Sequence, residues 1–282
     1  MINTSRKSKN KSKNFLFGIL FFSLLLPASI LHGQENAPLA AEAPSEPAAA
    51  QNAGAGSSVQ RDVSLRQLPK NFISDQKDMW LFPTKLAKGR HLLPTVAIVG
   101  ATAGLLAADP HDVGYFRNTS SFHGFNRAFH GKITTGEIGI VPASFYLIGL
   151  IRKDSYSEKT GLFAGEALLD SMVAYGVINA VTRRLRPSDI PPQGPFDDTF
   201  FRAHNGIFGH SFPSGHTMEA FAVATVIAIR YRNHRWVPWV AYGVAGAIAF
   251  SRVTLQSHFP SDVFLGAALG YCIARFDVLR AY

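Results

Sequence analysis

From residue 91 onward the chain is a succession of apolar segments rich in Ala, Gly, Leu, Val and Ile, at about 92–108, 138–151, 161–183, 217–230, 236–251 and 262–275. Their length, their alanine content and the absence of period-two alternation favour helices over strands. Six helices with short connections predict an all-α bundle. The longest break, 187–212, holds Pro187, Pro191, Pro192 and Pro195 with several glycines. A loop of that length inside a compact domain is usually functional. No internal repeat is present.

Ahead of this helical domain, residues 91–282, the composition changes three times. Residues 61–90 are polar with scattered aromatics, Phe72, Trp80 and Phe82, and read as an N-terminal arm lying on the domain. Residues 34–60 are Ala, Pro, Gly and Ser with three glutamates. They offer almost nothing to bury, so they read as a disordered linker. Residues 1–33 place Arg6, Lys7, Lys9, Lys11 and Lys13 before the apolar run Phe15–Leu26, the pattern of an export signal. The single cysteine, Cys272, has no internal partner for a disulfide. A chain with one thiol tolerates an oxidising compartment, so a periplasmic location is expected.

The formal net charge is +9, of which the five cations before residue 33 supply more than half. No basic stripe interleaved with aromatics follows, which argues against a nucleic-acid partner. Anionic substrates remain compatible. Whether the helices cross a bilayer turns on length, since a span needs about 20 predominantly apolar residues. Most segments reach 14 to 17, and Glu166, Asp170 and Glu219 interrupt two of the better ones. The favoured expectation is a soluble or membrane-surface-associated bundle. The alternative is an integral inner-membrane protein whose active site faces the periplasm. Oligomeric state leaves no mark on the sequence.

Three segments carry chemistry. His258 and Asp262 stand four residues apart, and a helix starting near Pro260 points the carboxylate back toward the imidazole. A carboxylate on one ring nitrogen leaves the other as a good nucleophile. Ser251-Arg252 lies just upstream and Arg186-Pro187 far upstream. Arginine's planar fork suits the oxygens of a phosphoryl group. Pro213-Ser214-Gly215-His216 opens a helical run, offering free backbone N–H groups, the positive end of the dipole and a histidine placed to protonate a leaving oxygen.

Together these segments resemble the type 2 phosphatidic acid phosphatase (PAP2) superfamily, which also includes class A acid phosphatases and vanadium haloperoxidases. That family's signature is K-x6-R-P, then P-S-G-H, then S-R-x5-H-x3-D. The second motif is complete at 213–216 and the third at Ser251, Arg252, His258 and Asp262, and the resemblance covers roughly residues 90–280. The first departs from the pattern: Asn179 stands where the family has lysine. Arg183 or Arg184 is the expected replacement, Arg184 being better spaced.

The resemblance implies a six-helix PAP2/haloperoxidase-like bundle and metal-independent hydrolysis of a phosphate monoester or diphosphate. The substrate it implies is a phosphorylated lipid, an isoprenyl diphosphate or a small phosphoester. It assigns His258 as the nucleophile forming a phosphohistidine, Asp262 as its orienting group, and His216 as general acid and then base. Arg186, Arg252, Ser214, Gly215 and Arg184 would hold the phosphoryl oxygens. No cofactor is implied, except vanadate in the alternative of a vanadate-dependent haloperoxidase. A non-catalytic phosphate-binding protein is a third reading, supported only by Asn179.

Overall fold

The computed structural model describes residues 61–280, apart from Asp62, His130, Pro192, Gln193 and Asn205. The expected export signal and linker lie outside the described residues. Nine α-helices are described: α1 (Leu68–Trp80), α2 (Phe82–Ala87), α3 (Leu92–Asn118), α4 (His123–Ala128), α5 (Gly131–Arg152), α6 (Ser155–Thr182), α7 (Gly215–Arg230), α8 (Trp236–Thr254) and α9 (Pro260–Cys272). A 3-10 turn, Pro187–Asp189, follows α6, and a π-helical turn, Ile273–Val278, follows α9. No strand occurs among the described residues. The all-α bundle is therefore as expected, the six apolar segments lying in α3 and α5 to α9.

The helices run further than the apolar segments suggested, for local reasons. Helix α6 starts at Ser155 rather than 161 because Asp154 caps it, accepting from the Tyr156 N–H at 3.0 Å and from Ser157 Oγ at 2.6 Å. Helix α3 continues through Asp109-Pro110 to Asn118, because Asp109 is buried and paired inside the protein instead of ending the helix in solvent.

Helix α7 lies centrally, packed against α5, α6, α8 and α9. It is apolar around most of its circumference, the pattern of an interior helix. Its approach to α9 depends on two glycines four residues apart. A β-carbon at Gly266 would stand 2.7 Å from the Ser214 carbonyl oxygen, and one at Gly270 only 2.1 Å from that of Met218. Small residues at this spacing let backbones meet, and here they bring the start of α9 beside the start of α7.

At the opposite end the arm is pinned by an ion cluster. The Arg61 guanidinium reaches Glu166 at 2.7 Å and Asp75 at 2.8 Å, and donates to the carbonyls of Asp277 and Val278. Both acids are buried, so the cation offsets a desolvation cost that either carboxylate would otherwise bear alone.

Three helical stretches are long and apolar enough to cross a membrane: Leu92–Asn118, Thr134–Arg152 and Ser155–Asp189, with mean hydropathies of 1.7, 1.4 and 1.3. Only 11% of the most apolar window of α3 is buried inside the protein, and Leu93 is 81% exposed. An apolar surface of that extent marks a membrane or protein contact. The expectation of a soluble or surface-bound bundle rested on shorter segments, and the observed helix lengths favour a membrane protein.

Candidate active site

The motif residues converge on one end of the bundle: Arg186 follows α6, Ser214 caps α7, Arg252 closes α8, and His258 and Asp262 flank the start of α9. His258 is 3% exposed. Its Nδ1 lies 2.6 Å from the Ser211 carbonyl oxygen, which can only accept, so the ring proton sits on Nδ1 and the Nε2 lone pair is free. Burial holds the imidazole well below its ordinary pKa, and the Arg186 guanidinium presses it further the same way. His216 and Arg252 add to this with smaller effect, so three cationic or basic groups surround His258. An imidazole kept neutral among arginines is a ready nucleophile.

Asp262 is not the direct partner of His258. Its Oδ2 stands 3.9 Å from Nδ1, beyond hydrogen-bond reach, and with a neutral imidazole the contact is no ion pair. That oxygen instead accepts from Ser211 Oγ and, at 2.8 Å, from the Phe259 N–H, capping the first turn of α9. Its Oδ1 accepts from Arg184 Nη1 at 2.6 Å. Burial raises the Asp262 carboxyl to about 6, with Arg184 as the main opposing influence. The i, i+4 spacing thus brings the pair close, but Ser211, which the sequence reading did not single out, stands between them.

The expected phosphate-binding role of Arg184 does not fit its surroundings. The guanidinium is 2% exposed and spends its donors on Asp262, Asp109 at 2.7 Å, Ser261 at 2.8 Å and Thr199 at 2.9 Å. The rings of Phe259 and Phe200 cover it, with centroids at 3.9 and 4.7 Å. Arg183 is half-buried in a left-handed backbone conformation at the end of α6.

Asn179 has a separate task. Its Nδ2 donates to the carbonyls of His210 and Phe212 at 2.9 and 3.1 Å, and its Oδ1 accepts from the N–H groups of Gly209 and His210, both at 3.0 Å. The amide uses its full donor and acceptor capacity to staple the loop that carries Ser211.

Arg252, 1% exposed, donates to Phe129 O and to Ser251 Oγ, which in turn donates to the Ile248 carbonyl. His216 Nε2 lies 2.9 Å from Thr135 Oγ1 of α5. Ser214 is fully buried, its Oγ 2.9 Å from Thr217 Oγ1 and its N–H donating to the Asp262 carbonyl. Gly215 opens α7, and a β-carbon there would stand 3.1 Å from the Tyr175 ring, so the helix start tolerates little added bulk. Thr135, Tyr175, Asp109 and Ser211 were missed from the sequence. Asp109 alone left a signal, an acid at the edge of an apolar segment.

Residues 160–279 match the family model described as PAP2 superfamily. Over this segment the chain is similar to that superfamily. The match contains all three motif segments and omits α1 to α5 and the first residues of α6. A lipid A 1-phosphatase of Porphyromonas gingivalis is 39% identical over 72 residues, covering 25% of this chain and 16% of that protein. A lipid A 4'-phosphatase of the same organism is 29% identical over 99 residues, covering 35% and 40%. The chain thus spans well under two thirds of the length of these relatives. A transmembrane PAP2 type phosphatidylglycerolphosphate phosphatase from Bacillus subtilis superposes with a TM-score of 0.38 at 22% identity, over 72% of this chain and 93% of its own.

Proposed function

We propose that this protein is a phosphatase that removes a phosphoryl group from a membrane lipid, with His258 as nucleophile. The observation that carries the reading is the buried, neutral His258, with its proton fixed on Nδ1 by Ser211 and with Arg186, Arg252 and His216 around it. Nε2 attacks phosphorus, the bond to the leaving alkoxide breaks, and His216 gives that oxygen its proton. Water then attacks the phosphohistidine, the P–N bond breaks, and His216 accepts the water's proton. Arg186, Arg252 and the N-terminus of α7 at Ser214-Gly215 stabilise the charge on the equatorial oxygens.

A lipid substrate is supported by the three apolar helices and by the catalytic end itself. Phe201, Ile207 and Phe208 are 68%, 67% and 63% exposed on the loop between α6 and α7. The names of the lipid A phosphatases point to the same substrate class. Orientation follows from charge. Arg152 and Lys153 lie exposed in the α5–α6 turn and Arg232 and Arg235 in the α7–α8 turn, both at the end opposite the site. The positive-inside tendency puts those turns in the cytoplasm and the site on the outer face.

The deciding experiment is phosphate release from a panel running from p-nitrophenyl phosphate through phosphatidic acid and lipid A to undecaprenyl diphosphate, beside a His258→Ala control. Turnover of the lipid phosphates, abolished in the control, is expected. Activity retained by His258→Ala would refute the mechanism.

A further inference from the structure

Asp109, Arg184 and Asp262 form a buried ionic chain, each 2% exposed or less. It begins outside the family-matched segment, in the C-terminal half of α3, and ends on the loop that holds His258. We propose that Asp109 and Arg184 are positioning residues for the phosphatase chemistry, acting on His258 through Asp262 and Ser211. The proposal rests on the reading of His258 as nucleophile.

The chain is continuous. Asp109 Oδ2 accepts from Arg184 Nη2 at 2.7 Å and from Ser261 Oγ at 2.5 Å, while its Oδ1 accepts from the Ser261 N–H at 3.2 Å. Arg184 passes the connection to Asp262 through Nη1. Ser211 is then held twice: its Oγ donates to Asp262, and its N–H donates to the Arg184 carbonyl at 2.8 Å. The Ser211 carbonyl takes the Nδ1–H of His258. Arg184 therefore grips both the carboxylate and the backbone that fix the imidazole's direction.

Stability by itself does not call for this arrangement. Two carboxylates and one guanidinium leave a net negative charge in the interior, and buried ion groups are often replaceable by apolar side chains without loss of stability. Geometry does call for it. A displacement of about 1 Å at a nucleophile costs on the order of 100-fold in rate. The planar fork divides its donors between two carboxylates in a way that a lysine cannot.

The test uses the full chain in detergent, comparing Asp109→Asn, Arg184→Lys and Arg184→Met with wild type and His258→Ala. For the first two, kcat is expected to fall about 10–100-fold with KM nearly unchanged, the signature of a misplaced nucleophile. A second readout separates positioning from mere folding. The charged or titratable groups facing Asp262 are Arg184 from the segment after α6, Asp109 beyond it from α3, and His258 from the α8–α9 turn. Arg184→Met removes the cation that favours ionised Asp262, so the acid limb of kcat/KM moves to higher pH.

Where an Arg184 variant does not fold, Ser261→Ala decides, since it removes two bonds and no charge; its kcat is expected to fall about 3–10-fold. Wild-type kcat in Asp109→Asn and Ser261→Ala, with His258→Ala inactive, overturns this inference alone. Activity in His258→Ala overturns the mechanism beneath it.

Discussion

Restoring the family lysine, Asn179→Lys, is expected to damage this protein. Asn179 is fully buried and bonds four backbone groups of residues 209–212. A lysine has three donors and no acceptor, so the N–H groups of Gly209 and His210 lose their partner. Each unsatisfied buried donor costs about 1–3 kcal/mol, so the pair costs about 2–6 kcal/mol before the ammonium's own desolvation is counted. At about 2–4 °C per kcal/mol for a domain of this size, Tm falls by roughly 5–20 °C. Activity falls as well, because the loosened loop carries the Ser211 carbonyl that orients His258. Tm is read by light scattering or fluorescence in detergent, and turnover by phosphate release at a temperature where both proteins are folded. A rise in kcat/KM with Tm unchanged would refute the reasoning, showing that position 179 faces the phosphate and not the loop.

Two further outcomes follow from the site and its surroundings. The His258 pKa is depressed in the folded state, so its contribution to stability is present above pH 6.5 and is lost as pH falls below that value. Tm should therefore drop more steeply between pH 6.5 and 5 in wild type than in His258→Gln, and parallel curves would contradict the burial argument. The proposed orientation is checked in whole cells with single cysteines introduced after Cys272→Ala. A membrane-impermeant thiol reagent should label Arg202→Cys on the exposed catalytic loop and spare Lys153→Cys in the basic turn; the reverse pattern would invert the topology.

The bundle was legible because helix formation is recorded locally, in runs of alanine and aliphatic residues without alternation. Where it was misjudged, the signal was polar. Ser155–Thr160 reads as a connection, yet it is the capped first turn of α6. Asp109-Pro110 reads as a stop, yet the acid is neutralised by an arginine far along the chain. Those corrections lengthened the helices and shifted the balance from a soluble bundle toward a membrane protein.

The candidate site divides the same way. Sequence alone determined the candidate set, since His258, Asp262, His216, Arg186 and Arg252 fall in motifs whose spacing is fixed by one helix turn or one helix start. Tertiary structure decided who touches whom. His258 leans on a carbonyl, an atom every residue possesses and no motif can advertise. Arg184, which by spacing suited the missing lysine's place, turns inward to carboxylates 75 and 78 residues away. Asn179, which looked like a defect, holds the loop. A short-range pattern fixes the identity and local direction of a side chain; its partner across the fold is set by packing of distant segments.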